Sequence, residues 1–492
     1  MHIYRVSFSE NLMNLNYLLK FFLISIICIF LPLLYYHWTI PSNSIWQDQI
    51  SAIENFKEVI QGEFPFAGYN MSIGIPTFPI FYYLLGPFHF LFKEPIEFYY
   101  LTAFINILSF VIIVYFVSLN FSFLYVFLIS VAIASNIWGL FYGSFLWNQN
   151  FISFFMSLFL ISLFHFIKSK NIIYFHLSGI LINLIIQMSP QSIVLIPSFM
   201  IILFVLKLLP PFHHQLFHSF IHFILISPWL IHSFILFPEK GIPTHSSLFQ
   251  DFSTSFVEYT NFIGGWGLMK ENGKYLDYGT IVSSSNDFFF PILSFSTFIL
   301  FILISISTFL SFKFINLKSQ TILQKFFIAL SILNLSSFFL SIFGLWVAPH
   351  HFKFLFPTVP LFVIFTLYFL QKFRKLFLIF LLFISISQAS YSYTRAYSES
   401  VRPYITDIGY QEIFSDYVKV QCPNSARVRY VTPNGIHGYM QYGELEEEVS
   451  SCDWMLVQKN HYDLSIVIFD LLNEKFQLSQ EKFKDYLIWI PK

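Results

Sequence analysis

Apolar stretches as long as a bilayer is thick recur along this chain, and they constrain its fold more than any motif does. Crossing about 30 Å of hydrocarbon takes roughly 20 apolar residues in a helix, and a helix satisfies its own backbone hydrogen bonds where no water is present. Such stretches lie at 17–38, 97–118, 121–140, 151–168, 172–188, 191–208, 218–237, 289–312, 326–347, 353–371 and 374–391. They predict an α-helical polytopic membrane protein of about 11 transmembrane helices. Of the 492 residues, 56% are hydrophobic and 11% charged, less than half the charge of an ordinary soluble domain. The first stretch is followed by no small-residue cleavage site, which predicts an uncleaved first helix rather than a signal peptide.

Lysine and arginine are sorted between alternate turns. With the N-terminus inside, the inner connections hold Lys168 to Asn171, Lys207 to His218, Lys313 to Lys325 and Gln371 to Lys375. The outer ones are the loops around Asp48, Trp147, Gln187, Glu239 to Asp287 and His350, which are poorer in cations for their length. An odd number of spans then sends residues 392–492 outside. The chain divides into a membrane domain, 1–391, and a small C-terminal α/β domain, 392–492. In the latter, alternation predicts strands at Ala426 to Val431, Trp454 to Val457 and Leu464 to Ile468, with helices at Gln411 to Val420 and Glu474 to Tyr486. Cys422 and Cys452 both fall there, so a disulfide between them is expected if that domain faces an oxidising compartment.

Two outer loops exceed simple connectors. In 39–96, Trp46, Ile50, Ile53, Phe56 and Ile60 form one apolar stripe, which predicts a helix lying on the membrane surface. Ser44 and Gln47 fit a capping box at its start. Asp48 falls in its first turn, where the helix dipole favours an ionised carboxylate. Pro76 to Phe92 is apolar but broken by Pro79, Gly86 and Pro87, the pattern of a re-entrant or interfacial helix. The second loop, 237–288, is rich in Gly and Ser and predicts a flap over a site.

The run Trp46-Gln-Asp48-Gln, then Ala52, Gly62-Glu-Phe-Pro65, Gly68 and Pro76-Thr-Phe-Pro79-Ile-Phe-Tyr-Tyr-Leu-Leu-Gly-Pro87 resembles the first outer loop of the GT-C superfamily of polyprenyl-phosphate-sugar-dependent glycosyltransferases. The protein O-mannosyltransferase and lipid A aminoarabinose transferase branch is the part it resembles. Trp147-Asn148-Gln149-Asn150, the turn from Gln187 to Pro190, and His350-His351-Phe-Lys353 fall where that family places polar outer turns. The likeness covers roughly residues 17–370. It implies that Asp48 is the catalytic base, with Gln49 standing where the family often has a second acid. It also implies a sugar passed, with inversion, from a lipid-linked donor to an acceptor on the outer face of a bacterial inner membrane. The N-terminus would then be cytoplasmic and 392–492 periplasmic.

The residue chemistry fits that implication. Removing an acceptor hydroxyl proton needs a base such as Asp48, although aspartate is also common in first helical turns. A leaving phosphate needs cations or donors, which His350, His351 and Lys353 supply at a helix entrance; anchoring of the next helix uses the same residue types. Trp46, Trp147, Asn148 and Asn150 suit sugar binding, and Trp147 and the asparagines equally suit a helix cap within an aromatic belt. Gln187, Ser189 and Gln191 make a polar break between spans, as helix ends also require. His214, His218 and His222 are spaced by four and share a helix face, but without a carboxylate partner they predict no metal site.

No resident cofactor is expected, the lipid-linked sugar being a substrate, and a divalent metal requirement stays open. The expected partners are membrane lipid, the polyprenyl-phosphate sugar and a glycan, lipid or protein acceptor. Zero net charge gives no field for nucleic acid, and no phosphate-binding or dinucleotide glycine loop occurs. The competing expectation is a transporter or flippase for a lipid-linked glycan, for which the absence of a repeat and of charges within the spans is unfavourable. A scaffold that has lost catalysis is a third.

Overall fold

The computed structural model describes residues 24–41, 47–68, 77–92, 95–232, 279–317, 319–342, 349–370 and 373–400, the single positions Phe22 and Tyr259, and five C-terminal strands. A π-helical turn, Ile26–Phe30, leads into α1 (Leu31–Thr39). The helices α2 (Gln47–Ile60), α3 (Ile80–Leu85), α4 (Pro95–Asn120), α5 (Phe123–Ala134), α6 (Ile137–Tyr142), α7 (Ile152–Ser169), α8 (Ile172–Met188), α9 (Leu195–Val205) and α10 (Phe212–Leu230) follow. After the second long loop come α11 (Gly279–Ile315), α12 (Ile322–Ile342), α13 (Thr358–Phe369) and α14 (Arg374–Ser400).

Every predicted span contains a helix. Five segments among the described residues are long and apolar enough to cross a membrane by themselves: Ile96–Asn120, Asn148–Ser169, Pro291–Ile315, Phe352–Phe369 and Arg374–Thr394. The protein is thus a helical, membrane-associated one. The stretch at 121–140 is two helices instead of one span. Helix α5 stops at Ala134, and Asn136 caps α6 by accepting from the Gly139 amide at 3.0 Å. At about 1.5 Å per residue, α5 covers about 18 Å, short of the hydrocarbon thickness.

Aromatic contacts fix which ends of the helices coincide. The Arg374 guanidinium lies 5.4 Å from the Tyr125 ring, Phe121 meets Tyr368 at 5.1 Å, and Phe314 meets Phe369 at 4.9 Å. Phe164, one turn before Lys168, meets Phe326 near the start of α12. The lysine-rich turns therefore gather at one end of the bundle. At the other end Trp38 meets Tyr397 at 5.8 Å and Tyr35 meets Tyr393 at 5.8 Å. The chain beyond α14 thus leaves at the end where α1 finishes, opposite the basic turns.

Within 39–96, the segment from Pro79 to Phe90 is a short broken helix, as Pro79, Gly86 and Pro87 predict. Helix α3 passes into a 3-10 turn at Gly86–Phe90. Helix α2 crosses that turn so closely that a Cβ at Gly86 would stand 2.7 Å from Val59 Cγ1. The buried face of α2 is Gln49, Ala52, Phe56 and Val59, while Ile53 and Ile60 of the expected stripe are only half-buried. Phe56 packs on Phe81 at 5.4 Å and on Phe98 at 5.0 Å. The helix is rotated from the lipid-facing orientation that its pattern suggests, because protein aromatics take its best face.

The C-terminal strands are β1 (Ala426–Thr432), β2 (Gly435–Tyr442), β3 (Asp453–Gln458), β4 (Phe476–Phe483) and β5 (Tyr486–Pro491), in sheet order β2-β1-β3-β5-β4. Only β1 and β3 run parallel. β1 and β3 form where alternation predicts them. The helix expected at Glu474 to Tyr486 is instead β4, whose ladder to β5 captures residues that also read as amphipathic. The segments Gln411 to Val420 and Leu464 to Ile468, with Cys422 and Cys452, lie outside the described residues. Strand β2 approaches α2.

A polar clasp ties α1, α4 and α6 together. Asn106 Nδ2 donates to Tyr36 Oη at 2.5 Å and to the Gly139 carbonyl at 2.6 Å, and Tyr36 Oη donates to the same carbonyl at 3.3 Å. A Cβ at Gly143 would collide with both side chains. Asn106→Leu is expected to cost about 1–3 kcal/mol, and Gly143→Ala a similar amount. Their combination should cost no more than the worse of the two, because both remove one clasp; detergent-solubilised unfolding of the three variants measures this.

Candidate functional site

Three 3-10 turns meet at the end of the bundle opposite the basic turns: Asn148–Phe151, Pro190–Val194 and Pro349–Leu355. Each sits where a helix begins after a polar break, and each overlaps or adjoins one of the polar turns at Trp147, Gln187 and His350. The first is joined to the loop that carries Asp48 through a row of rings. Phe56 of α2 packs on Phe81, and Phe81 on Phe151 at 5.5 Å.

Lys353 is the centre of this layer. Phe352, Phe354 and Leu355 are fully buried around it and hold the turn, which carries the lysine inward to 3% exposure. Its Nζ donates to Asn150 Oδ1 at 3.1 Å. It also lies 3.3 Å from the centre of the Tyr142 ring and 4.4 Å from that of Trp147. Burying an ammonium is costly unless polar groups replace its water, and aromatic faces and an amide oxygen are such groups. A second hydrogen bond orients Asn150, since its Nδ2 donates to the Phe145 carbonyl at 2.6 Å and so turns its oxygen to the lysine. The result is a buried amine held between two rings and an amide at this end of the bundle.

An open cavity of about 290 Å³ runs along α11 and α12. Tyr259 lines it and contacts Phe352 at 5.7 Å, which links the cavity to the turn of Lys353. Phe301, Ile304, Phe309 and Phe312 make most of its wall apolar, and Ser305, Thr308 and Asn334 interrupt it.

Of the residues picked from sequence, Trp147 and Lys353 come together. Asn148 is buried, but its Oδ1 accepts from the Gln149 amide at 2.9 Å and so serves its own turn; Asn150 makes the contact to the cation. Gln187 is buried at the same end, with Nε2 donating to Asn183 Oδ1 at 2.5 Å, away from Lys353 and into a separate polar file. Asp48 falls in the first turn of α2, and His350 and His351 in the turn of Lys353. The side chains of these three, and all of Trp46, Cys422 and Cys452, lie outside the described residues. Among the described residues no group of three or more His, Cys, Asp or Glu is placed to hold a metal ion. Tyr142, the ring nearest the ammonium, was not singled out; the dense aromatic run Phe141, Tyr142, Phe145, Trp147 was its one signal.

Compared with known proteins, the chain matches no family model, no curated protein and no solved structure.

Tyr142→Leu is expected to lower stability by about 0.5–2 kcal/mol through loss of the cation–ring contact. In a Lys353→Met background the same change should cost only its packing part. Unfolding of the four proteins in a double-mutant cycle reads the difference directly.

Proposed function

We propose that the protein is a membrane glycosyltransferase that moves a sugar from a polyprenyl-phosphate donor to an acceptor hydroxyl. The observation that supports this best is the buried Lys353 ammonium in its cage of Tyr142, Trp147 and Asn150, at the end of the bundle that also carries the Asp48 helix. In the proposed reaction the Asp48 carboxylate takes the proton from the acceptor hydroxyl. The hydroxyl oxygen attacks the anomeric carbon, the bond from that carbon to the phosphate oxygen breaks, and the phosphate leaves with the electron pair. Inversion follows from attack opposite the leaving group. A fixed cation at the leaving phosphate stabilises the charge that develops there. Lys353 takes this role, assisted by His350 and His351, while Trp46, Trp147 and Asn148 face the sugar and Gln187 closes the layer.

The apolar cavity along α11 suits an isoprenoid tail whose phosphate reaches Lys353 beside Phe352. In this reading the chain has about 11 spans and a cytoplasmic N-terminus. A separate α/β domain at 392–492 then stands on the outer face of the inner membrane, stapled by Cys422 and Cys452. The acceptor is a glycan, lipid or protein.

A second reading, transport or flipping of a lipid-linked glycan, draws support from the imidazoles inside the bundle at His176, His218 and His222, since ionisable groups within a membrane often mark a transport path.

Asp48→Asn should abolish sugar transfer while donor binding persists, and Lys353→Met should weaken donor binding by about 10- to 150-fold, the value of a charged hydrogen bond. Radiolabelled polyprenyl-phosphate sugar in proteoliposomes gives both numbers. Full transfer by Asp48→Asn would reject the mechanism, and movement of the intact donor without covalent change would select the transporter.

A further inference from the structure

Between α8 and α10 runs a file of polar side chains of which the proposed reaction uses only the last, Gln187. It starts near the basic end, where His176 Nε2 lies 3.3 Å from His214 Nδ1. The His176 and His218 rings follow with centres 5.8 Å apart, and His218 Nε2 faces His222 Nε2 at 2.7 Å. His222 Nδ1 then meets Asn183 Nδ2 at 2.8 Å, and Asn183 Oδ1 meets Gln187 Nε2 at 2.5 Å. The file therefore ends in the layer of 3-10 turns, since the Pro190–Val194 turn that follows Gln187 adjoins the turn of Lys353. Gly179 makes room for it, because any Cβ there would overlap the His218 ring.

The bonds have one direction. An amide nitrogen only donates, so Gln187 donates to Asn183 and Asn183 donates to His222 Nδ1. His222 must then carry its proton on Nε2 and donate it to His218 Nε2, which puts the His218 proton on Nδ1. That Nδ1 is buried without a hydrogen-bond partner among the described residues, as is His176 Nδ1. His218 is 9% exposed. Two nitrogens 2.7 Å apart share one proton, so the direction of every bond above His218 depends on its charge.

We propose that uptake of a proton at His218, entering from the basic end, reverses this file and turns over the side-chain amide of Gln187. Protonated His218 carries hydrogens on both nitrogens and donates from Nε2 to His222 Nε2. His222 moves its proton to Nδ1. Asn183 flips to offer its oxygen there, and its nitrogen then donates to Gln187 Oε1. The end that Gln187 presents away from Asn183 changes from acceptor to donor. One proton is bound; none crosses the amides. The site layer thereby senses the acidity at the opposite end of the bundle, and this holds whichever reaction that layer carries out.

Among the described residues, other titratable groups near the file are few. On α10 the exposed His213 ring stacks on His214 at 4.1 Å and marks the entry. From α7, His165 stacks on Tyr174 of α8 at 5.1 Å. From α3, the phenols Tyr82 and Tyr83 stand at the other end, and α9 brings Phe199 against Phe175, which backs the His218 ring at 5.0 Å.

Nitrogen NMR of the full chain in lipid bilayers, with labelled histidine and glutamine, tests this because tautomers and imidazolium have distinct shifts. The 218–222 pair is recognised by its short nitrogen-to-nitrogen contact, and Gln187 by its loss in Gln187→Met. At high pH His222 should be the Nε2–H tautomer and His218 the Nδ1–H tautomer. On acidification His222 should become Nδ1–H, and the Gln187 amide should shift, at the same midpoint at which His218 gains its second proton. In Asn183→Leu the Gln187 shift should disappear while His218 still titrates. A His222 that keeps its proton on Nε2 while His218 titrates, or a Gln187 amide that ignores that titration, overturns the proposal on the unmodified protein alone.

Discussion

Helices already surrounded by lipid gain little from excluding apolar surface, so close packing and a few polar bonds must hold them in place. The bundle depends on this. Phe116, Phe164 and Phe326 form a mutual cluster, Phe326 and Phe327 pack on Phe365, and Phe110 meets Phe356. Rings that meet edge to face have an electrostatic preference that branched aliphatics lack. Much of the phenylalanine excess is thus spent at helix crossings. Others, such as Phe204, Phe212 and Phe220, are exposed on the outside of the bundle.

Polar side chains occur where the packing leaves room for them, and glycines make that room. Gly143 admits the Tyr36 and Asn106 clasp, Gly139 lets the Phe356 ring approach, and Gly179 admits His218. Each places a hydrogen-bonding group between helices in surroundings of low dielectric, where an unmatched partner would be expensive. The polar interior is therefore organised as short files and not as scattered groups. The clasp and the Lys353 cage share the turn after α6, since Tyr142, Gly143 and Asn150 belong to one stretch of chain.

The two ends of the bundle are chemically unlike. One gathers the lysine-rich turns, with Lys313 lying 4.8 Å from the Phe309 ring and Arg374 over Tyr125. The other gathers 3-10 turns that carry Asn148, Gln149, Asn150 and Gln191, with Trp147 beside them, around the buried Lys353. The imidazole file is the one described polar connection that reaches from the first towards the second.

Helix positions were legible in the sequence because an apolar stretch of spanning length has few other stable fates, and breaks at polar residues mark the turns. The short broken helix at Pro79 to Pro87, the polar turns at Trp147, Gln187 and Lys353, and the strands β1 and β3 follow from local pattern alone. Periodicity names the face of a helix but not what covers it. Hence α2 turned Ala52 and Phe56 inward, α5 ended early at Ala134, and β4 replaced a helix. The tertiary structure alone brought Lys353 to Asn150, 203 residues away, and joined His222 of α10 to Asn183 of α8. Contacts of that kind depend on helix rotation and on where glycine permits approach, quantities that no single stretch of sequence contains.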